Sequence, residues 1–186
     1  MKLVRRPLVW MHRFRHRKGY GVHSPFAYSF IRGVLLETGT YYAYADLRRL
    51  HPWWQRCLIT YPLQCRRMLF RVANAAQPRS MAILGDRPTE QAYMSAAVPA
   101  ASWTGDGGAD LVFVALERLA EAPRLLSHLP TGATLICEGI NESKADRALW
   151  NDVKAHTRTT ITFDLYTYGI ALLDRDLTPA NYIVNF

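Results

Sequence analysis

The feature that most restricts the fold is an alternation of short apolar runs and amphipathic stretches after Pro78. Residues 81–84, 110–116, 133–137, 159–165 and 169–174 read as strands, and residues 89–97, 119–129 and 144–156 as helices. Parallel neighbours need a crossover, and helices supply it, so the first three strands belong to a mainly parallel, doubly wound sheet of α/β class. The last two strands are separated only by a tight turn over residues 166–169, which dictates an antiparallel hairpin.

Before Pro78 the chain is helical and basic, giving two parts: an extension over residues 1–78 and an α/β domain over residues 79–186. Up to Arg71 there are 14 Lys and Arg against Glu37 and Asp46, whereas beyond it 9 basic residues face 13 acidic ones, so the net charge of +8 belongs to the front third. Residues 2–18 read as a basic amphipathic helix with Leu3, Pro7, Trp10, Met11 and Phe14 on one side. Further helices are expected over residues 26–36, 41–50 and 63–76, the last with Met68, Leu69 and Val72 inward and Arg66, Arg67 and Arg71 outward. Such a surface suits an anionic partner, a nucleic acid or a membrane surface, with Arg13, Arg15, Arg17 and Lys18 as the contacting residues. Two copies of the chain could also associate through these helices. No run approaches the roughly 18 apolar residues of a membrane span, and no signal peptide is visible, so a cytoplasmic location is expected. Cys57, Cys65 and Cys137 have no metal-ligand spacing and read as reduced, packed thiols.

The blocks HSPFAYSFI, YYAYADLRRL, RRMLFRVANAAQPRSMAILG, ICEGINESKADRALWNDVKAH and TFDLYTYGIALL resemble, in that order, a bacterial group of class I S-adenosylmethionine-dependent O-methyltransferase-like proteins. In that group a helical extension opening on a His-Ser-Pro-Phe segment, here His23, Ser24, Pro25 and Phe26, precedes the sheet. The resemblance implies a Rossmann-like methyltransferase sheet of strand order 3-2-1-4-5-7-6. It also implies a methyl-donor site at the carboxyl ends of the strands.

This chain departs from that pattern in two places. The segment MAILGDRPTE has a single glycine where the group has an acid and a glycine-rich turn: Leu84 replaces the acid, Gly85 remains, and Arg87 and Pro88 stand where small residues are wanted. Pro88 suits the first turn of a helix. Only 24 residues separate Gly85 from Asp110, while each strand-helix-strand unit takes roughly 30. The second and third strands, and the acid that would hold the ribose hydroxyls, are therefore expected to be missing, although residues 102–104 have room to be extended. Asp106, in GDGG, is the only nearby candidate for that acid and reads rather as a turn residue. Residues 81–84 are then left at an edge that needs a cover, from the SWTG segment, the N-terminal helices or a second copy of the chain.

Any residual donor site falls on Gly85, Asp86, Thr89, Glu138 and Asn141. A metal is not expected, because the group's Asp-Asp-Ile-His-x-Ser block reads here Glu138, Gly139, Ile140, Asn141, Glu142 and Ser143, one carboxylate and one amide. Ser143 and Trp150 suit a helix N-cap and an inward aromatic. No P-loop, GxSxG elbow or HExxH motif is present. His51, Trp53 and Trp54 with Arg48, Arg49 and Arg56 combine aromatic and guanidinium groups as single-stranded nucleic-acid sites do, or pack the helical extension itself. The sequence thus points to a shortened, degenerate methyltransferase-like protein, a non-catalytic scaffold with no cofactor. The alternative is an active O-methyltransferase that uses S-adenosylmethionine on a small molecule.

Overall fold

The structure, a computed structural model, describes residues 11, 13, 14, 21–51, 60–105 and 108–186. Most of the basic helix expected over residues 2–18, with Arg15, Arg17 and Lys18, lies outside the described residues, as do Trp53, Trp54, Arg56, Cys57 and Asp106.

Helix α1 (Pro25–Phe30) starts where Ser24 caps it, its hydroxyl accepting from the Ala27 N–H at 3.3 Å, with Pro25 in the first turn. It runs on into a π turn, Ile31–Leu35. Helix α2 (Ala43–Leu47) ends in a 3-10 turn, Arg48–Leu50, and helix α3 spans Thr60–Ala76. Met68, Leu69, Val72 and Ala73 of α3 are buried, the i, i+3/i+4 spacing of a core-facing stripe. Arg71 does not point outward as its spacing suggested. It is 6% exposed, and its Nε and Nη2 donate to the Val34 and Leu35 carbonyls at 2.6 and 2.8 Å. The π turn leaves those carbonyls without partners, and a guanidinium fork can satisfy both.

The sheet has seven strands in the order β2-β1-β3-β4-β6-β5-β7. They are β1 (Ser80–Leu84), β2 (Ser102–Trp103), β3 (Leu111–Val114), β4 (Thr134–Glu138), β5 (Ile161–Asp164), β6 (Tyr168–Leu172) and β7 (Ala180–Ile183). Only β6 runs against the rest, pairing antiparallel with both β4 and β5. This is the mainly parallel sheet with a terminal hairpin that the strand-helix alternation specifies. Helix α4 (Pro88–Ala97) joins β1 to β2, a 3-10 turn Leu116–Glu121 and helix α5 (Ala122–Leu125) lie between β3 and β4, and helix α6 (Lys144–Ala155) follows β4.

Two strands exceed the sequence expectation. The SWTG segment supplies β2, which covers the amino end of β1. Its pairing is confined to Ser80↔Ser102 and Met81↔Trp103, the amino end of β1. The chain can therefore return to β3, which starts opposite Met81, through a short connection. Asp110 fixes that return: its Oδ2 accepts from the Arg79 and Ser80 backbone N–H groups at 2.9 and 3.1 Å and from the Ser80 hydroxyl at 3.2 Å. Strand β7 pairs parallel with β5 at the far edge.

Side chains alternate between two cores, as strands require. Leu111, Phe113, Ile136, Ile161, Phe163 and Ile170 face α1, α3 and α4, so the extension and the sheet share one apolar cluster. Val112, Val114, Leu135, Cys137 and Ala171 face α5 and α6. Ser143 caps α6 by accepting from the Asp146 N–H at 3.1 Å, and Trp150 is fully buried, as expected. Trp150 lies over Gly169 so closely that a Cβ there would sit 2.6 Å from its ring. The YGIAL sequence of β6 needs its glycine for that reason.

Candidate functional site

In an open α/β sheet the ligand crevice lies beyond the carboxyl ends of the parallel strands. Here those ends are Leu84 of β1, Val114 of β3 and Cys137 of β4, neighbours in register. Gly85 follows β1 with a φ of +114°, and a Cβ on it would lie 2.5 Å from the Ala115 Cβ and 2.7 Å from Glu117 Oε1. Glycine is thus required by the close approach of the β1 and β3 connections to each other.

Arg87, two residues on, spans the crevice. Its Nε donates to Glu138 Oε2 at 2.9 Å, its Nη1 to Glu117 Oε1 at 3.0 Å and its Nη2 to Glu117 Oε2 at 2.8 Å, while Nη2 also lies 2.8 Å from Glu138 Oε2. Nη1 reaches the Asp86 carbonyl too, at 2.9 Å. Partial burial works against the Arg87 charge, but Glu138 and Glu117 outweigh it and hold the guanidinium more firmly protonated than usual. The backbone N–H of Glu117 itself, and then Arg87, hold the Glu117 carboxyl below the ordinary carboxylate value. One planar cation thus ties the ends of β1, β3 and β4 together by a two-pronged contact of the kind only arginine makes.

The other expected site residues have internal tasks. Asn141 donates from Nδ2 to the Tyr166 carbonyl at 2.8 Å and accepts at Oδ1 from Arg147 Nη1 at 3.2 Å. Asp86 is exposed and Thr89 half-buried in the first turn of α4. Of the five residues, Gly85, Asp86 and Glu138 therefore lie around Arg87, Asn141 belongs to a second network at the end of β5, and Thr89 joins neither.

That second network centres on Asp164, 3% exposed. Its Oδ1 accepts from Arg13 Nη1 and from the Tyr166 N–H, both at 2.9 Å, and its Oδ2 accepts from Arg147 Nη1. The Arg13 guanidinium also lies 5.1 Å from the centre of the Tyr166 ring, so this member of the expected anion-binding set is engaged within the chain. Burial alone would raise the Asp164 pKa, but Arg13, Arg147 and the Tyr166 N–H together bring it below 3.8. A third network joins the extension to α4: Arg66 Nε donates to Glu90 Oε1 at 2.9 Å, and His51 lies between Arg66 Nη1 (3.3 Å) and the Tyr93 hydroxyl (2.9 Å). Burial pushes the Tyr93 phenol up to about 12. Among the described residues no three His, Cys, Asp or Glu side chains are grouped as metal ligands, and no helix is long and apolar enough to cross a membrane.

The Arg87 bridge, Asp164 and the Arg66 contacts are absent from the sequence reading. One signal was available for the first: Arg87, Glu117 and Glu138 each sit just past or at the end of a parallel strand, and such positions converge in a doubly wound sheet.

No family profile matches the chain, and no curated protein matches it. Among solved structures, human N-acetylserotonin methyltransferase, crystallised in complex with SAM, shows a distant likeness, 10% identical with a TM-score of 0.36 over 89% of this chain and 70% of that one.

Proposed function

We propose that this chain is a non-catalytic scaffold built on a methyltransferase-like sheet, and that its basic N-terminal segment binds an anionic partner in the cytoplasm. The observation that carries the reading is the Arg87 bridge between Glu117 and Glu138, which spans the crevice between strand ends where a methyl donor would have to enter. Strand β2 adds to it. Its last residue, Trp103, is level with Met81, three residues short of Leu84, so the strand stops about 10 Å below the carboxyl edge. In this reading Arg15, Arg17 and Lys18 supply charge to a nucleic acid or an anionic membrane, while Arg13 ties the segment to Asp164. Self-association through the N-terminal helices is a separate proposal.

Calorimetric titration with S-adenosylmethionine tests the scaffold reading: no heat of binding at millimolar donor is the expected result, and a micromolar Kd overturns it. Retention on single-stranded DNA or on anionic vesicles should fall with added salt and be lost on replacing Arg15 and Arg17 by Glu. A second reading, an active O-methyltransferase with a remodelled donor site, is favoured by one observation, the mainly parallel strand order closing on an antiparallel hairpin. Donor binding in the same titration would select it.

A further inference from the structure

Beside α3 lies a cavity of about 270 Å³ that shares no residue with the Arg87 crevice. Arg67, Gln64 and Arg71 line it from one helix face, Leu36 and Phe186 contribute apolar surface, and Glu37 to Gly39 close one side. Its two guanidinium groups are differently placed. Arg71 donates to the Val34 and Leu35 carbonyls and has Glu37 4.0 Å away, and Glu37 in turn accepts from the Tyr41 hydroxyl at 2.8 Å. Arg67 lies 4.8 Å from the centre of the Tyr44 ring, its Nε is buried with no hydrogen-bond partner, and among the described residues no carboxylate pairs with it.

A buried guanidinium N–H with no acceptor is costly, about 1–3 kcal/mol for a neutral group and more for a charged one. The Nε–H is enclosed, so an oxyanion in the cavity acts on the charge of the guanidinium, which no carboxylate among the described residues offsets. Stacking on Tyr44 holds the guanidinium plane in place, the Gln64 amide stands one helical turn away as a second donor, and Leu36 and Phe186 offer an apolar wall beside both. We infer that this cavity binds a small organic acid, a carboxylate or phosphate head on a compact apolar body, with the head on Arg67 and the body against Leu36 and Phe186. One uncompensated cation and a volume near 270 Å³ favour a singly charged, ring-sized ligand over a nucleotide. The inference is independent of the scaffold reading, since it uses no residue of the crevice or of the N-terminal segment.

Titration by NMR, following the Arg67 Nε–H resonance with benzoate, phenyl phosphate and inorganic phosphate as probes, tests it. Saturable shifts are expected for benzoate or phenyl phosphate, whichever head the site prefers, with inorganic phosphate at least about tenfold weaker because it lacks the apolar body. Arg67→Met should weaken that binding about tenfold or more, and Gln64→Glu, at an exposed position that leaves the fold intact, should weaken it as well. Arg118→Gln, which removes an equal charge from an exposed pair with Glu121, should not alter it. No saturable shift up to about 10 mM of any probe, or equal binding by wild type and Gln64→Glu, overturns the inference.

Discussion

Replacing Asp164 by Asn keeps the shape of the side chain and its acceptor for the Tyr166 N–H but removes the charge that faces Arg13 and Arg147. Taking one partner from a buried ion pair costs about 3–5 kcal/mol, because the remaining charge is left desolvated. The two arginines differ in how much of that cost they bear. The Arg147 side chain is 33% exposed and recovers hydration, whereas Arg13 is 12% exposed and does not, so the lower end, about 3 kcal/mol, is the expected loss. For a chain of this length that corresponds to a melting temperature lower by about 6–12 °C. The pH dependence separates the charge from mere packing. A carboxyl whose pKa is depressed in the folded state stabilises it above its unfolded value, and that stabilisation is lost as pH falls through the lower folded value. For Asp164 the window opens near 3.8 and extends downward. Urea unfolding at pH 7 should show a reduced midpoint with unchanged slope, and the difference between variant and wild type should shrink in acid. A loss under about 1 kcal/mol at pH 7, or a loss equal at pH 7 and in acid, would refute the reasoning.

Arg71→Met should cost about 2–4 kcal/mol by leaving the Val34 and Leu35 carbonyls unpaired, and Arg71→Lys should not restore it, since an ammonium cannot reach both; urea midpoints decide. Gly169→Ala should cost about 1–3 kcal/mol by pressing a methyl group on the Trp150 ring, with a matching change in tryptophan fluorescence; an unperturbed spectrum would contradict the close approach. Arg87→Met should cost only about 1 kcal/mol, because Glu117 is half exposed, yet the Glu117 carboxyl should move back up towards 4.5 in a carbon-detected NMR titration. No such movement would mean that its own backbone N–H, and not Arg87, sets its acidity.

The sheet was legible where periodicity and length agree. Strands β1, β3, β4, β5 and β6 and helices α4 and α6 all follow from apolar runs bounded by Gly, Pro and polar caps, with Ser143 and Pro88 marking two helix starts. Strand β2 was visible only as extended residues, since two residues carry no period, and β7 was missed because Ala180, Asn181 and Tyr182 alternate weakly at an edge with one face still exposed. Arg71 misled for a different reason. Helix periodicity assigns a face by hydrophobicity, and a guanidinium that serves carbonyls from another element is inward without being apolar. The site residues were chosen for a ligand; spacing could not show that Asn141 would be drawn to Tyr166 and Arg147, because those partners lie in other elements.

The charge asymmetry of the chain takes a different meaning from these contacts. The front third supplies Arg13, Arg66 and Arg71, and each reaches a buried polar group in another element: Asp164 on β5, Glu90 on α4 and the π-turn carbonyls after α1. Arg13 and Arg66 cross from the helical part to acids of the sheet part, so the excess of cations in one segment and of anions in the other is partly an internal fastening. Side-chain exposures of 12% and 19% on the arginines, against 4% and 9% on the acids, make these contacts far less sensitive to salt than a surface pair. Binding to an anionic partner must then draw on other basic residues. Its salt dependence should report fewer phosphate contacts than the full count of front-third cations implies, and a slope as steep as that count would show that Arg13 and Arg66 leave their carboxylates on binding.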